Sequence, residues 1–345
     1  MISLKKRLID QPNARKVHTC VSSRLGGVAF LPSIVIAICV SAAVATYFNP
    51  WLWVSMVTPQ FMLGFCACMM IYFIGMADDL ADVRYRVKFV FQIASALLII
   101  LSGIWIDNLH GVLGVGQIPP LLGIPMTIFL IVFVVNALNL IDGIDGLASG
   151  LSILAVLVFG ILFIVNGCAI CALISLATLG TLLAFFYYNM YGVTKKHYKI
   201  FMGDAGALTI GFVLSVLSIK LCQSNAALSE DQMLRQFIFA YSMLMVPCLD
   251  VVRVVLHRYR AKQPLFEPDK SHIHHKFMAL GFAQHKTLLC ILLLSISYAV
   301  VNVVLSYVFN INLILLFDVV SWTLLHLFIS KQVAKRTSKK RIVKS

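Results

Sequence analysis

The chain has 345 residues, of which 60% are hydrophobic and 12% are charged. Soluble domains carry about 25% charged residues, so this composition excludes a soluble globular protein and predicts a polytopic membrane protein. The formal net charge of +14 does not by itself indicate nucleic-acid binding, because no soluble domain is left to hold that charge.

Ten apolar runs are each long enough to cross the roughly 30 Å hydrocarbon core of a bilayer as a helix. They predict spans at residues 27–48, 54–75, 88–107, 121–138, 147–165, 168–187, 206–222, 234–256, 286–308 and 309–329. We therefore expect an all-α, polytopic integral membrane protein of about ten transmembrane helices, in which residues 1–345 form a single domain.

Basic residues predict the orientation of these spans. With ten spans, both termini lie on one side, and 26 of the 28 lysines and arginines fall there, with only Lys220 and Arg235 on the other. Because basic residues concentrate in cytosolic segments, both termini are predicted to be cytosolic, with Lys196 and a basic tail at 331–345, while Gln117 faces outward. The positive charge then orients the chain and attracts anionic lipid head groups.

Polar clusters stand at the predicted cytosolic ends of the spans, in "GMADDLADVRYRVKF", "NALNLIDGIDGLASG", "FMGDAG" and "PDKSHIHHKF". Their acids, amides and histidines are Asp78, Asp79, Asp82, Asn136, Asn139, Asp142, Asp145, Asp204, His272, His274 and His275. Charged groups near hydrocarbon are costly, so their concentration on one face indicates function. We predict catalytic loops near residues 76–88, 136–147, 188–206 and 257–286.

Each cluster also has a structural interpretation. "DDLAD" can be a solvated turn whose acids balance nearby basic residues, and Asp142 or Asp145 can cap the following helix beside turn-forming glycines. Asp204 can likewise be a helix cap. The histidines can be surface residues or part of a zinc site, although no further ligand stands out locally. If each cluster had only its structural role, it would be a coincidence that all four lie on one face. We therefore expect the clusters to form one shared site.

Several carboxylates, an amide oxygen and nearby basic side chains suit a divalent cation that holds phosphates. Magnesium prefers oxygen ligands and takes the rest of its shell from water and substrate phosphate. Lys88 and the histidines can neutralise phosphate charge. This chemistry predicts a membrane enzyme that joins a soluble, phosphate-bearing donor to a lipid acceptor at the cytosolic face.

These motifs resemble those of the polyprenyl-phosphate N-acetylhexosamine-1-phosphate transferases, glycosyltransferase family 4. The resemblance covers nearly the whole chain, through "RLGGVAF", "DDLAD" with "VKF", "NALNLIDGIDGLASG", "MGDAGAL" and "HIHH" in the family order. It implies transfer of a sugar phosphate, foremost N-acetylglucosamine-1-phosphate, from a UDP-N-acetylhexosamine to undecaprenyl phosphate. UMP would be released, and a lipid-linked cell-surface glycan such as lipopolysaccharide would be started from the bacterial inner membrane.

The resemblance also implies residue roles. It assigns catalysis to Asp78, Asp79, Asp142 and Asp145, and binding of Mg²⁺, with Mn²⁺ as the alternative, to Asn139 and Asp204. It assigns substrate binding to His272, His274 and His275, to which the charge argument adds Lys88. A homodimer stays open, and nucleic acid is not an expected partner.

Within the family, "HIHH" and "DDLAD" look more like the branch that uses UDP-N-acetylglucosamine than the muramyl-pentapeptide phosphotransferases. The latter usually show three consecutive histidines and a lysine where this chain has Asp82. Many relatives have another span before "DQPNARKVH", and we expect this chain either to lack that helix or to carry it before the given start.

Two other classes of membrane protein fit the sequence less well. A secondary transporter would be supported by Asp318 within the last predicted span, but the polar clusters lie at span ends and no repeated halves are visible. The CDP-alcohol phosphotransferases have an arginine after their Asp-Gly-Ala-type motif that "DGLASG" lacks. For "CAIC" (Cys168 and Cys171), no metal or redox role is expected, because no second Cys or His pair lies nearby.

Overall fold

A computed structural model of the protein describes residues 9–10, 22–23, 25–48, 58–192, 199–264 and 271–342. The long elements in these ranges are α-helices. They are α1 (Phe30–Phe48), α2 (Pro59–Ala81), α3 (Tyr85–Leu101), α4 (Pro120–Ile141), α5 (Leu147–Val165), α6 (Ala169–Tyr191), α7 (Gly203–Cys222), α8 (Glu230–Arg260), α9 (Ile273–Ala279), α10 (Gln284–Leu305) and α11 (Ile311–Ile342). Strands β1 (Ile9–Asp10) and β2 (Ser22–Ser23) pair antiparallel, and 3₁₀ turns lie at Leu25–Ala29 and Val112–Gly114.

The predicted all-α, multi-pass membrane fold is confirmed. Within the described ranges, nine helices are long and apolar enough to cross a membrane. The remaining predicted span, 88–107, is the 17-residue helix α3, which is about 25 Å long and so shorter than a typical hydrocarbon core. Helix α2 continues to Ala81, six residues beyond the predicted end of its span, and α11 continues through most of the predicted basic tail.

Parts of the predicted loops fall outside the described residues. These parts are the segment with Lys196, the stretch 265–270 before the histidines, and the end of the tail from 343. The motif "DQPNARKVH" lies outside them after Asp10, and so does Arg24, the first residue of "RLGGVAF". All ten predicted site residues are described.

Helix α7 lies at the centre of the helical bundle. The most apolar part of α7 is 83% buried, and the helix packs against α2, α4, α5 and α8. Hydrocarbon gives no hydrophobic driving force for helix association, so close packing depends on small residues. At Gly75 of α2, a Cβ atom would lie 2.7 Å from the Cα of Ala205, and at Gly211 one would lie 2.8 Å from the Cα of Val135. Glycine at these positions lets the backbones of α2 and α4 approach α7.

The 3₁₀ turn Leu25–Ala29 is bound to the segment that leads into α7. The backbone N–H of Gly26 donates to the carbonyl of Phe201 (3.0 Å), and that of Gly27 donates to Met202 (2.9 Å). A Cβ on Gly27 would lie 2.2 Å from the backbone nitrogen of Gly206. The "RLGGVAF" motif therefore helps to fix the position of the start of α7.

Asp318 joins three helices. Its side chain is buried, and its Oδ2 accepts hydrogen bonds from the Tyr241 hydroxyl of α8 and from Nδ2 of Asn302 on α10 (3.0 Å). Asp318 thus has a packing function in the bundle, which weakens the transporter interpretation that depended on it.

The packing at Gly75 predicts a mutational effect. Gly75→Ala would force α2 away from α7, and overpacking of this kind costs about 1–3 kcal/mol. Gly64→Ala in the same helix is the matched control, because its new Cβ would meet only the Cδ1 of Ile99 at an ordinary 3.8 Å. Thermal denaturation of the purified full chain in detergent should show a lower Tm for Gly75→Ala and an unchanged or higher Tm for Gly64→Ala. Equal Tm values would contradict the close approach of α2 and α7.

The predicted topology is tested by cysteine labelling. In a cysteine-free background, Gln117→Cys should react with a membrane-impermeant maleimide in intact cells. Ser338→Cys, exposed near the end of α11, should react only after the cells are opened. Gln117 and Ser338 are both exposed and lie at opposite ends of the helical bundle. Labelling of position 338 from outside would reverse the predicted orientation.

Candidate active site

Asp79 caps the N-terminus of α7 from a different helix. The first N–H groups of a helix have no acceptor within that helix. In this protein, Oδ1 of Asp79 accepts from the N–H of Asp204 (2.8 Å), and Oδ2 accepts from the N–H of Ala205 (2.9 Å). A carboxylate at this position also interacts favourably with the positive end of the helix dipole. The contact of α2 with α7 at Gly75, one turn earlier, brings Asp79 within reach.

Lys88 bridges two carboxylates that are far apart in sequence. Its Nζ lies 2.9 Å from Oδ2 of Asp78 and 3.0 Å from Oδ2 of Asp204. The other oxygen of Asp78 accepts the N–H of Val83 (2.7 Å), which closes the turn after α2. Asp82 ends α2 in the left-handed conformation, with φ 47°. "DDLAD" therefore combines a turn with one carboxylate, Asp78, that points into a shared polar site.

Asn139 extends this site from the last turn of α4. Its Nδ2 donates to Oδ1 of Asp204 (3.1 Å). Asp78, Lys88, Asp204 and Asn139 thus form a continuous series of contacts between the ends of α2, α3, α4 and α7. These motifs are predicted from the sequence to converge, and the structure brings them together.

The turn between α4 and α5 carries the other two acids. Asp142 ends α4, and the N-cap of α5 is Gly146, with φ 78° and no side-chain cap. The structural interpretation of Asp142 or Asp145 as the helix cap is therefore wrong. The N–H of Gly146 donates instead to Oδ1 of Asn189 on α6 (2.6 Å), which supplies the missing acceptor from another helix.

Asp142 and Asp145 differ in their surroundings. Lys199 Nζ lies 2.6 Å from Oδ2 of Asp145, so this acid has a cationic partner across the site. Burial, together with the negative charges of Asp145 and Asp204, raises the pKa of Asp142 to about 7. A cation close to a carboxylate favours its charged form. The raised pKa of Asp142 thus marks a place where added positive charge would be favourable.

The histidine cluster packs against the same turn. His274 on α9 is buried, and a Cβ on Gly143 would lie 2.2 Å from its Nε2. Burial lowers the pKa of His274 to about 3, helped by the neighbouring His275 and His272, so His274 is neutral. Neither ring nitrogen of His274 has a hydrogen-bond partner within the described residues. "HIHH" therefore presents a neutral, buried imidazole to the turn that carries the acids.

Asp250 on α8 orients the first histidine of the cluster. Its buried carboxylate accepts Nδ1–H of His272 (2.8 Å) and the N–H of Ile273 (3.0 Å), and it contacts Arg253 (3.2 Å). A carboxylate on Nδ1 fixes the orientation of the ring and directs Nε2 away from it. Arg253 also donates to the carbonyl of Ser271, which joins α8 to the histidine segment.

Four residues at the site are not among those predicted from the sequence, namely Asp250, Arg253, Lys199 and Asn189. Asp250 had a signal, because it interrupts the apolar run of a predicted span in the same way as Asp318. Lys199 and Asn189 had none, because their partners Asp145 and Gly146 lie 54 and 43 residues away in the chain. Only the fold brings these residues to the site.

The residues at Asp204 fit a magnesium ion. Within the described residues, no group of three or more His, Cys, Asp or Glu side chains is arranged to hold a metal. Magnesium does not need such a group, because one or two protein oxygens suffice and water and phosphate complete its shell. Asn139 contacts Asp204 through its nitrogen, and a rotation of that amide would present its oxygen to the same space. The amide oxygen of Asn139 on α4 and the carboxylate of Asp204 on α7 would then face one ion.

Comparison with known proteins agrees with the predicted resemblance. Residues 60–222 match the description "Glycosyl transferase family 4", and this range contains every predicted site residue except the histidines.

Relatives match over most of the chain. A "Probable undecaprenyl-phosphate N-acetylglucosaminyl 1-phosphate transferase" of Bacillus subtilis is 29% identical over 313 residues, which cover 88% of this chain and 79% of the relative. The "Undecaprenyl-phosphate alpha-N-acetylglucosaminyl 1-phosphate transferase" of Escherichia coli K12 is 27% identical over 309 residues, which cover 89% of this chain and 78% of the relative. The protein of Salmonella typhi with that same name matches to the same extent. With its motifs assembled at one end of the helical bundle, the chain is similar to glycosyl transferase family 4 over residues 60–222.

Proposed function

We propose that the protein transfers N-acetylglucosamine-1-phosphate from UDP-N-acetylglucosamine to undecaprenyl phosphate and releases UMP. The observation that carries this proposal is the contact series Asp78–Lys88–Asp204–Asn139 at one end of a membrane-spanning bundle. The named activity of the relatives supports the same choice of donor and acceptor. The concentration of basic residues on this end supports a cytosolic site in the inner membrane of a bacterium.

The donor diphosphate is proposed to lie between α4 and α7. Asn139 and Asp204 would hold Mg²⁺, or Mn²⁺, which supplies neutralisation of phosphate charge when bound. A shell with only one formal negative charge does not repel the incoming diphosphate strongly. Lys88 and Lys199, which now pair with Asp78, Asp204 and Asp145, are placed to exchange these partners for phosphate oxygens.

The acceptor phosphate is proposed to approach from the side of Asp78 and Lys88. Leu80, Val87 and Leu140, which adjoin site residues in the chain, are exposed. Exposed apolar side chains at the end of a bundle allow contact with lipid, so a lipid phosphate can reach Lys88 without leaving the membrane surface. Lys88 would orient this phosphate, and Asp78 would hold or accept its proton.

In the proposed reaction, an oxygen of the lipid phosphate attacks the phosphorus atom that carries the sugar. The new bond joins two phosphoryl groups, and the bond that breaks joins this phosphorus to the bridging oxygen of the uridine diphosphate. The bridging oxygen leaves with UMP. Electrostatic stabilisation of the transferring phosphoryl group is usually the largest contribution to such reactions.

Asp79 and Asp250 are proposed to act as positioning residues. Both oxygens of Asp79 accept backbone N–H groups of α7, so Asp79 fixes where Asp204 stands. Asp250 fixes the ring of His272. His272, His274 and His275 would contact the donor, and the pair Asp142 and Asp145 would set the field around its phosphates.

The nucleotide product tests the bond that is broken. Membranes with the full chain, incubated with UDP-N-acetylglucosamine, undecaprenyl phosphate and magnesium, should release UMP and form a lipid-linked pyrophosphate. Chromatography of the nucleotides and mass spectrometry of the lipid give both products. Release of UDP would identify an ordinary glycosyl transferase and overturn the proposal. A panel of other UDP-sugars, including a muramyl-pentapeptide donor, tests the choice of sugar.

Asp204→Asn tests the proposed metal site. This substitution keeps the shape of the side chain but removes its charge, so magnesium-dependent turnover should fall by about 10²-fold or more. The protein should remain folded in the membrane, as judged by size-exclusion chromatography in detergent. Asp318→Asn is the control, because this acid lies in helix packing away from the site, and it should keep its activity. Normal turnover of Asp204→Asn with unchanged magnesium dependence would remove Asp204 from the metal site.

A further inference from the structure

Cys168 and Cys171 stand at the start of α6, at the membrane end opposite the candidate active site. Helix α5 begins beside the site at Leu147 and ends at Val165, so the turn to α6 lies on the other face. Lys220, near the end of α7, lines the same cavity as Cys168. If the active site is cytosolic, this turn is extracytosolic, where thiols meet oxidants rather than the reducing cytosol.

Cys168 and Cys171 lie close enough along the chain for a disulfide to form between them. Cys168 is the N-cap residue of α6, with φ −85° and ψ 80°, and Cys171 is the third residue of the helix. Residues three apart at the start of a helix have Cα atoms about 5 Å apart, within the range of up to about 7 Å that a disulfide can bridge. By contrast, Cys66 and Cys68 in α2 are two apart, and such residues do not face each other on a helix.

The surroundings of Cys168 favour a nucleophilic thiol. The pKa of Cys168 is lowered to about 6, chiefly because the thiol of Cys171 donates a hydrogen bond to it, and the positive charge of Lys220 contributes. The first cysteine of a Cys-X-X-Cys motif at a helix N-terminus typically reacts as the thiolate. Both cysteines are half-buried, and they line a cavity of about 360 Å³ that also contains Lys220.

We propose that Cys168 and Cys171 form a reversible disulfide by exchange with a disulfide-bearing oxidant at the extracytosolic face. The Cys168 thiolate attacks one sulfur of the oxidant, forms a mixed disulfide and releases the first thiol. Cys171 then loses its proton and attacks the Sγ of Cys168, which forms the internal disulfide and releases the second thiol. Two cysteine thiols are oxidised, and one disulfide of the oxidant is reduced to two thiols. No redox role was expected for "CAIC" because no second Cys or His pair lies nearby. Exchange with a disulfide-bearing oxidant does not need such a pair.

The test uses the full chain in sealed, right-side-out membrane vesicles treated with oxidised glutathione, which does not cross the membrane. Free thiols are blocked with N-ethylmaleimide in denaturant, disulfides are reduced, and the new thiols are labelled with a maleimide-polyethylene glycol. The wild type should gain two labels. Cys168→Ser should gain none, and Cys171→Ser should gain one and carry a glutathione adduct by mass spectrometry. Cys66→Ser/Cys68→Ser, the matched control, should still gain two.

Three outcomes would overturn the proposal. They are an unlabelled wild type, unchanged labelling of Cys168→Ser, and labelling only in inside-out vesicles. The readout is a covalent bond and not transfer activity, so a failure of the proposed transferase function would leave this result unaffected.

Discussion

The carboxylate of Asp79 on the first N–H groups of α7 is the contact on which the site depends. It joins the end of α2 to the start of the most buried helix, and it is possible because Gly75 and Ala205 let the two backbones meet. Through this contact, the position of Asp204 is set by helix packing and not by a loop. Lys88 and Asn139 then reach Asp204 from α3 and α4, so four helix ends meet around one carboxylate.

The ion pairs between acids and lysines determine what the site can bind. Each acid at the site that faces the polar space has a basic or amide partner, as Asp78 and Asp204 share Lys88 and Asp145 pairs with Lys199. Burial and like charges raise the pKa of Asp142, which lies among them. The acids of the site outnumber its two lysines, so the site is negatively charged before substrate binds, and it can exchange its internal ion pairs for a metal ion and a diphosphate. A neutral His274 against Gly143 closes the same turn without adding charge.

The sequence predicted the existence of the helices and the convergence of the motifs, because long apolar runs and the distribution of lysine and arginine are strong signals. It could not predict which acids point where. Asp79 was grouped with Asp78 for catalysis, yet α2 runs six residues past its predicted end, and the two acids face different partners. An acid within "DGIDG" was expected to cap α5. Instead, the N–H of Gly146 donates to Asn189 on α6, so a residue of another helix supplies the acceptor. Asp250 interrupts an apolar span, which is a signal, but its partner His272 lies 22 residues away and only the fold joins the two.

The most direct test of this account is an anomalous-difference map from crystals of the full chain grown with Mn²⁺, which scatters anomalously and replaces Mg²⁺. The account predicts a peak at about 2.1 Å from a carboxylate oxygen of Asp204 and from the amide oxygen of Asn139. Asp79 should still accept the N–H groups of Asp204 and Ala205. A peak coordinated by Asp79, with its contacts to α7 broken, would contradict the claim that Asp79 positions the site and Asp204 holds the metal.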